Sequence, residues 1–122
     1  MRGTIKSSDE INRMFSEGRR FNTASMLAIV KKRRIDDNEQ TNTPNGRIAI
    51  IAGKRMGNAP RRNKAKRRMR EAARQAQAPW EGFDVVLVAR EAIVDVEFSK
   101  IVKDMETIAA NIARTTGSGV KR

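Results

Sequence analysis

The sequence contains no cysteine and no histidine. Those two absences remove zinc sites built on Cys and His, Ser-His-Asp triads, Cys-His dyads and histidine acid–base catalysis. Disulfides are excluded as well, which agrees with a cytosolic protein. No apolar run approaches the roughly 18 residues of a membrane span, and the N-terminus lacks the apolar core of a signal peptide. A soluble, cytoplasmic protein is the expectation. At 122 residues with 39% hydrophobic composition, the chain has enough apolar material for one modest core.

What the chain has in excess is positive charge, and that charge is local. Lys54 to Arg74, KRMGNAPRRNKAKRRMREAAR, holds ten basic residues against Glu71 alone, a net of +9 out of +12 for the whole protein. Nine net charges packed into one short segment repel each other, so a polyanion partner is the natural reading.

Along the chain, Ser7-Ser8-Asp9-Glu10 has the form of a capping box, with Ile11, Met14 and Phe15 following at helical spacing and Gly18 as a stop. This predicts a helix from about Ser8 to Glu17. A polar connector from Arg19 to Thr23, with a short extended piece around Phe21, leads to an apolar strand, Ser25 to Val30, which runs into basic Lys31 to Arg34. Residues 36–46 then read as a mobile hairpin loop. Asp36, Asp37 and Glu39 could be imagined around Mg²⁺, but nothing organises them, and they read as a solvated acidic loop. Arg47 to Gly53 is a β-branched, nearly unbroken strand expected at the centre of its sheet.

Gly57-Asn58-Ala59-Pro60 punctuates the chain before a helix expected from about Pro60 to Ala76, with Asn58 or Ala59 near the cap. Ala65, Met69, Ala72, Ala73 and Ala76 fall within an arc of roughly 100°, a small-residue stripe suited to close packing on a sheet. Asn63, Lys66, Arg67, Arg70 and Arg74 form one basic flank, and Arg61, Lys64 and Arg68 another. Two basic flanks suit a groove or a folded RNA surface better than a flat anionic membrane, and no large apolar face is left for lipid.

Trp80 to Phe83 is a turn and Asp84 to Ala89 a third strand. A last helix, about Glu97 to Ala113, carries Phe98, Ile101, Val102, Met105, Ile108, Ala109 and Ile112 as one apolar stripe. Thr115 to Arg122 reads as a flexible basic tail after a single domain, residues 1–114. No internal repeat is present. The element order reads as α/β or α+β.

The chemistry concentrates in Lys54-Arg55-Met56-Gly57-Asn58-Ala59 and the following Arg62-Asn63-Lys64-x-Lys66-Arg67-x-x-Arg70. Gly57 lets backbone approach a ligand closely, and the helix start beyond it offers unpaired N–H groups and a favourable dipole. Guanidinium groups grip phosphate oxygens in pairs, lysines act as point charges, and Asn63 can bond phosphate, a 2′-hydroxyl or a metal-bound water. Contact with six to ten phosphates would make affinity fall by roughly 10³ to 10⁵ between about 50 and 200 mM salt.

This irregular pattern resembles the motif helix of the bacterial ribonuclease P protein family, K-K-x-G-N-A-x-x-R-N-R-x-K-R-x-x-R. The strand feeding it, the later Asp84-Val85-Val86-Leu87-Val88-Ala89-Arg90 and the closing helix agree too, so the likeness covers roughly residues 4 to 113. It implies an α+β fold, an αβββαβα sandwich of the kind also found in the second domain of a small-subunit ribosomal protein. Its βαβ crossover would be left-handed, against the usual rule.

The resemblance also implies a role. The catalyst is a partner RNA, which with Mg²⁺ held mainly by RNA removes the 5′ leader of precursor tRNA; no side chain of the protein attacks the phosphodiester. By position, RNA binding falls to Lys54, Arg55, Asn58, Arg62, Asn63, Lys64, Lys66, Arg67 and Arg70, and a leader cleft to Ile11, Phe15 and Ile29. The family often has aromatics where Ile11 and Ile29 stand, so base stacking falls mainly to Phe15. Lys64 replaces the second arginine of the motif, keeping the charge and losing the planar fork. No obligate protein partner and no membrane contact are implied. A structural RNA-binding protein such as a ribosomal protein is the second reading, against which the spaced Gly-Asn-Ala and Arg-Asn elements argue. A DNA-binding regulator is the third, disfavoured by basic residues on both flanks and by no evident partner helix.

Overall fold

The computed structural model describes residue 5, residues 7–32 and residues 46–121, with side chains through residue 114. Most of the expected hairpin loop, with Asp36, Asp37 and Glu39, lies outside the described residues. The first helix, α1, spans Ser8–Glu17. The Ser7 hydroxyl oxygen accepts from the Glu10 amide at 3.3 Å, meeting one of the unpaired N–H groups of the first turn.

Gly18 ends α1 in extended backbone, φ −78° and ψ 157°, so a left-handed cap is not what requires glycine there. Space is. A Cβ at this position would lie 2.5 Å from Ile29 Cγ2 and 2.8 Å from the Met14 carbonyl oxygen.

Four strands follow: β1 (Arg19–Asn22), β2 (Met26–Lys32), β3 (Arg47–Ile51) and β4 (Phe83–Ala89). Their order in the sheet is β1-β2-β4-β3. β1 and β4 run antiparallel to β2, while β3 and β4 are parallel neighbours. The expectation that the Arg47 strand is central is therefore corrected: β3 lies at the edge. Its unbroken apolar character comes from contributing to both core faces, Ile48 on one and Ala49 on the other, rather than from having both edges paired. Part of that edge is closed by Ile5, whose N–H donates to the Ile48 carbonyl at 2.8 Å.

The parallel pair is joined through a 3₁₀ turn (Lys54–Met56) and α2, Ala59–Gln75. Asn58 caps α2, its Oδ1 accepting from the Arg61 amide at 3.1 Å, and Pro60 sits in the first turn, where its missing N–H costs nothing. A second 3₁₀ turn (Glu91–Val94) precedes α3, Phe98–Lys121. The backbone of α3 is helical well beyond Ala113, where its apolar stripe ends.

Alternation along the strands divides the core in two. On one face Met26, Ala28, Val30, Ile48, Val85 and Leu87 pack against Ala65, Met69, Ala72 and Ala73 of α2 and against Ile101, Met105 and Ile108 of α3. The alanine stripe brings α2 close to the sheet, as its composition predicts. Buried Ser25 ties α3 to the start of β2: its hydroxyl donates to Asp104 Oδ2 at 2.6 Å and its amide to the same oxygen at 3.1 Å. On the other face Ile29, Ala49 and Val86 lie with Met14 and Ile5, and α1 is the helix over them. One helix does not cover that face, and this incompleteness creates the surface described next.

Candidate nucleic-acid interface

Asn63, Arg67, Arg70 and Arg74 are all exposed, and at 100° per residue they fall within roughly 60° of one another. This stripe runs roughly 16 Å along the side of α2 that faces away from the alanines. Lys64 is exposed and Lys66 half-buried on its margins. Arg67 and Arg70 have no hydrogen bond or ion pair within the described residues. Arg74 pairs with Glu71 in the same helix, which holds the Glu71 carboxyl below its ordinary value, Gln75 adding to the effect.

Most of the second basic flank folds back on the protein. Arg61 Nε donates to the Met56 carbonyl at 2.9 Å, and the Arg68 guanidinium donates to the Val96 carbonyl before α3. Arg68 Nε is buried without a partner among the described residues. Long side chains here lie over the shoulder of the helix and satisfy carbonyls of adjoining turns. Of that flank Lys64 alone remains exposed. Arg62 is intermediate: half-buried, with its Nε donating to the Ala52 carbonyl at 3.3 Å. Asn58 likewise has its Oδ1 committed to capping α2.

Arg68→Ala is accordingly expected to lower unfolding stability by about 1–2 kcal/mol, through lost packing and an unmet carbonyl. The folded variant should keep wild-type RNA affinity and salt dependence; thermal melting beside filter binding at several salt concentrations checks both.

Ahead of α2, Gly57 has φ 110° and ψ −147°, a conformation open to glycine and strained for other residues. It turns the chain so that exposed Lys54 and Arg55 stand beside the helix start, whose first turn carries no acidic residue. The dipole there is left positive, with two cations added.

On the α1 side of the sheet, Leu27, Val88 and Ile51 are half-buried and opposite one another across β2, β4 and β3. With Ile11 and Phe15 of α1 they form an apolar row only partly withdrawn from solvent. Ile29 is fully buried beneath this surface, so its expected place as a contact is corrected: it supports the floor. Two grooves flank the row. One, about 340 Å³, is lined by Ile5, Ile11, residues 48–51 and Arg70. The other, about 520 Å³, is lined by Leu27 and Val88 together with Lys54, Arg55, Arg90 and Glu91. Leu27, Ile51, Val88 and Arg90 were not singled out from the sequence. Leu27 was within reach, since it is two residues from Ile29 on one strand and must share its face.

At the opposite end of this face Arg47 joins three elements. It donates to Asp84 Oδ1 at 3.0 Å and Oδ2 at 2.8 Å, and to Glu10 Oε1 at 3.2 Å and Oε2 at 2.8 Å. The bond with Asp84 first, and that with Glu10 second, raise the Arg47 guanidinium above its already high ordinary value. Among the described residues no three His, Cys, Asp or Glu side chains come together as a metal site.

The chain is similar to known proteins in sequence and in fold. The model of the family Ribonuclease P matches residues 2–113. The ribonuclease P protein component of Symbiobacterium thermophilum is 31% identical over 109 residues, 85% of this chain and 85% of that protein. The component from Bacillus cereus (strain Q1) is 30% identical over 102 residues, 83% of each. Among solved structures, the Staphylococcus aureus RNase P protein superimposes with a TM-score of 0.72 at 20% identity, covering 92% of this chain and 96% of that one. The Thermotoga maritima RNase P protein gives 0.69 at 23%, covering 88% and 94%. At such identities the structural likeness speaks for the fold: an α+β chain of order αβββαβα with a mixed four-stranded sheet.

Proposed function

The chain belongs to the bacterial ribonuclease P protein family, and from that premise we propose that it holds two RNA segments on two connected surfaces. As a family member it is the protein component of the endoribonuclease that matures tRNA 5′ ends, in which catalysis resides in the RNA. The outer stripe of α2, Asn63, Arg67 and Arg70 with Lys64 and Lys66 at its margins, is the docking face for that catalytic RNA. The apolar row of Ile11, Phe15, Leu27, Ile51 and Val88 takes the single-stranded 5′ leader of precursor tRNA.

One observation carries this reading. The stripe and the row lie on opposite sides of the sheet, yet Arg70 belongs to both, standing on the stripe while lining the groove beside Ile11. A single protein can therefore grip the catalytic RNA on one side and receive the leader on the other. Phe15 offers a stacking face, the aliphatic side chains exclude water, and Lys54 and Arg55 supply charge for the leader phosphates.

Mg²⁺ belongs to this reaction on the RNA. Held there, it would supply neutralisation of phosphate charge and a more acidic bound water, and no side chain of this chain is assigned as its ligand. The protein's share is to raise the local positive potential and hold the leader in register, which acts through positioning. No helix among the described residues is long and apolar enough to cross a membrane, and the cytoplasm is the proposed place of work.

The test is reconstitution. The protein, a ribonuclease P RNA and precursor tRNA are combined at low Mg²⁺, with leaders of graded length. Wild-type protein is expected to stimulate 5′ cleavage, and affinity should fall about tenfold when the leader is cut to a nucleotide or two, since one stacked base and its phosphates are worth about 1–3 kcal/mol. Equal affinity for long and short leaders would remove the cleft assignment, and no stimulation would remove the whole reading.

A further inference from the structure

α1 supplies Ile11 and Phe15 to the apolar row, yet apolar contact holds it weakly. Of its ten residues Met14 is the one that is buried. Ile11 and Phe15 pack half-buried beside it, the Arg20 guanidinium of β1 donates to the Phe15 carbonyl at 3.0 Å, and two ion pairs add to these. In its first turn Glu10 pairs with Arg47 of β3, and in its last turn Glu17 pairs with Lys31 of β2. The two pairs differ in rigidity. Arg47 is itself fixed from the far side by both oxygens of Asp84, its neighbour in the β3–β4 register, whose side chain is 13% exposed. The Lys31–Glu17 pair is open to solvent on both members, 38% and 52%, where ion pairs are worth little.

We propose that Arg47 is a positioning residue for the leader: held to the sheet by Asp84, it fixes Glu10 and so sets the distance between α1 and the strand residues of the apolar row, Leu27, Ile51 and Val88. This rests on the leader-cleft reading above and assigns a distance-setting part to a residue that lines neither groove of the row. The leverage comes from adjacency. Ile11 follows Glu10 directly, so wherever the carboxylate is held the first apolar side chain of the cleft wall is held with it. A guanidinium serves better than an ammonium here, because its planar fork meets two carboxylates at once and keeps both in one plane.

The experiment uses the holoenzyme reconstituted with the catalytic RNA. For each variant the readout is the ratio of affinities for precursor tRNA with a long leader and with a leader of a nucleotide or two. Glu10→Ala leaves the Arg47–Asp84 arm in place and spares the sheet, whereas Arg47→Ala risks the fold. Glu10→Ala is expected to reduce the ratio about fivefold, the scale of one partly exposed ion pair. Glu10→Gln, which keeps an acceptor, should recover part of the loss. Asp9→Ala removes a carboxylate from the same helix turn, exposed and outside the tie, and should leave the ratio as in the wild type. Affinity for the catalytic RNA alone should be the same in all three.

A wild-type ratio in Glu10→Ala overturns the proposal. So does an equal fall in Asp9→Ala, which would trace the effect to charge at the helix start. Absence of leader preference in the wild type is a separate result, visible before any variant is made, and removes the cleft reading itself.

Discussion

Replacing Arg67 and Arg70 together by alanine is expected to weaken binding to ribonuclease P RNA by about 10²-fold at moderate salt, and to flatten the slope of log K against log salt by about two. Both residues stand on the outer stripe of α2, exposed and without an ion pair or hydrogen bond among the described residues. Nothing inside the protein therefore competes for them, and nothing inside should be lost with them. Melting temperature should stay near that of the wild type. Each guanidinium that meets a phosphate releases condensed counterions, so removing two contacts shows in the salt slope as well as in affinity. The two lie one helical turn apart, so their effects on affinity need not add. They should also separate in kind: Arg67→Ala lowers affinity for the catalytic RNA alone, while Arg70→Ala also reduces leader preference, because Arg70 lines the groove at the edge of β3. Filter binding across salt, beside melting curves, decides between this and a loss of fold. A fall in affinity with an unchanged slope would show that the stripe does not meet phosphate.

The sorting of the basic block into docking and structural cations was the part that sequence could not supply. Periodicity placed Arg61 and Arg68 on a flank, and on a bare helix they would face solvent. Whether an arginine four bonds from its backbone reaches out or lies back on a carbonyl depends on what the next turns place beside it. Here the Met56 and Val96 carbonyls, remote in the helix pattern, claim both. The alanine stripe, by contrast, was legible through Ala65, Met69, Ala72 and Ala73, because burial of a small residue follows directly from its angle on the helix, while Ala76 is the half-buried C-cap. The same division holds in the sheet. The positions of β2, β3 and β4 followed from apolar runs and turn residues, whereas polar β1 read as a connector with a short extended piece around Phe21; strand order did not follow, since β3 is as apolar at an edge as it would be in the middle. The leader surface was half legible for the same reason. Ile11 and Phe15 follow from the period of α1; the row of Leu27, Val88 and Ile51 requires the register between three strands, which no one strand encodes.

Gly18→Ala should be the most damaging single substitution on the leader side, costing about 2–3 kcal/mol of stability, within the usual range for overpacking. The melting temperature should fall by on the order of 10 °C. The added methyl would sit 2.5 Å from Ile29 Cγ2 and 2.8 Å from the Met14 carbonyl oxygen. Neither neighbour can yield cheaply. Ile29 is a fully buried, β-branched residue in β2, and the Met14 carbonyl accepts the Gly18 N–H at 2.8 Å in the bond that closes α1. The remaining way to relieve the contact is to lift the last turn of α1 from the sheet, which carries Phe15 away from Leu27 and Val88. Leader preference should therefore fall together with stability. Affinity for the catalytic RNA should not, because α2 packs on the other face of the sheet and none of its contacts passes through Gly18. Retained leader preference in a destabilised Gly18→Ala protein would mean that Ile29 gives way instead, and that the placement of Phe15 does not govern how the leader is held.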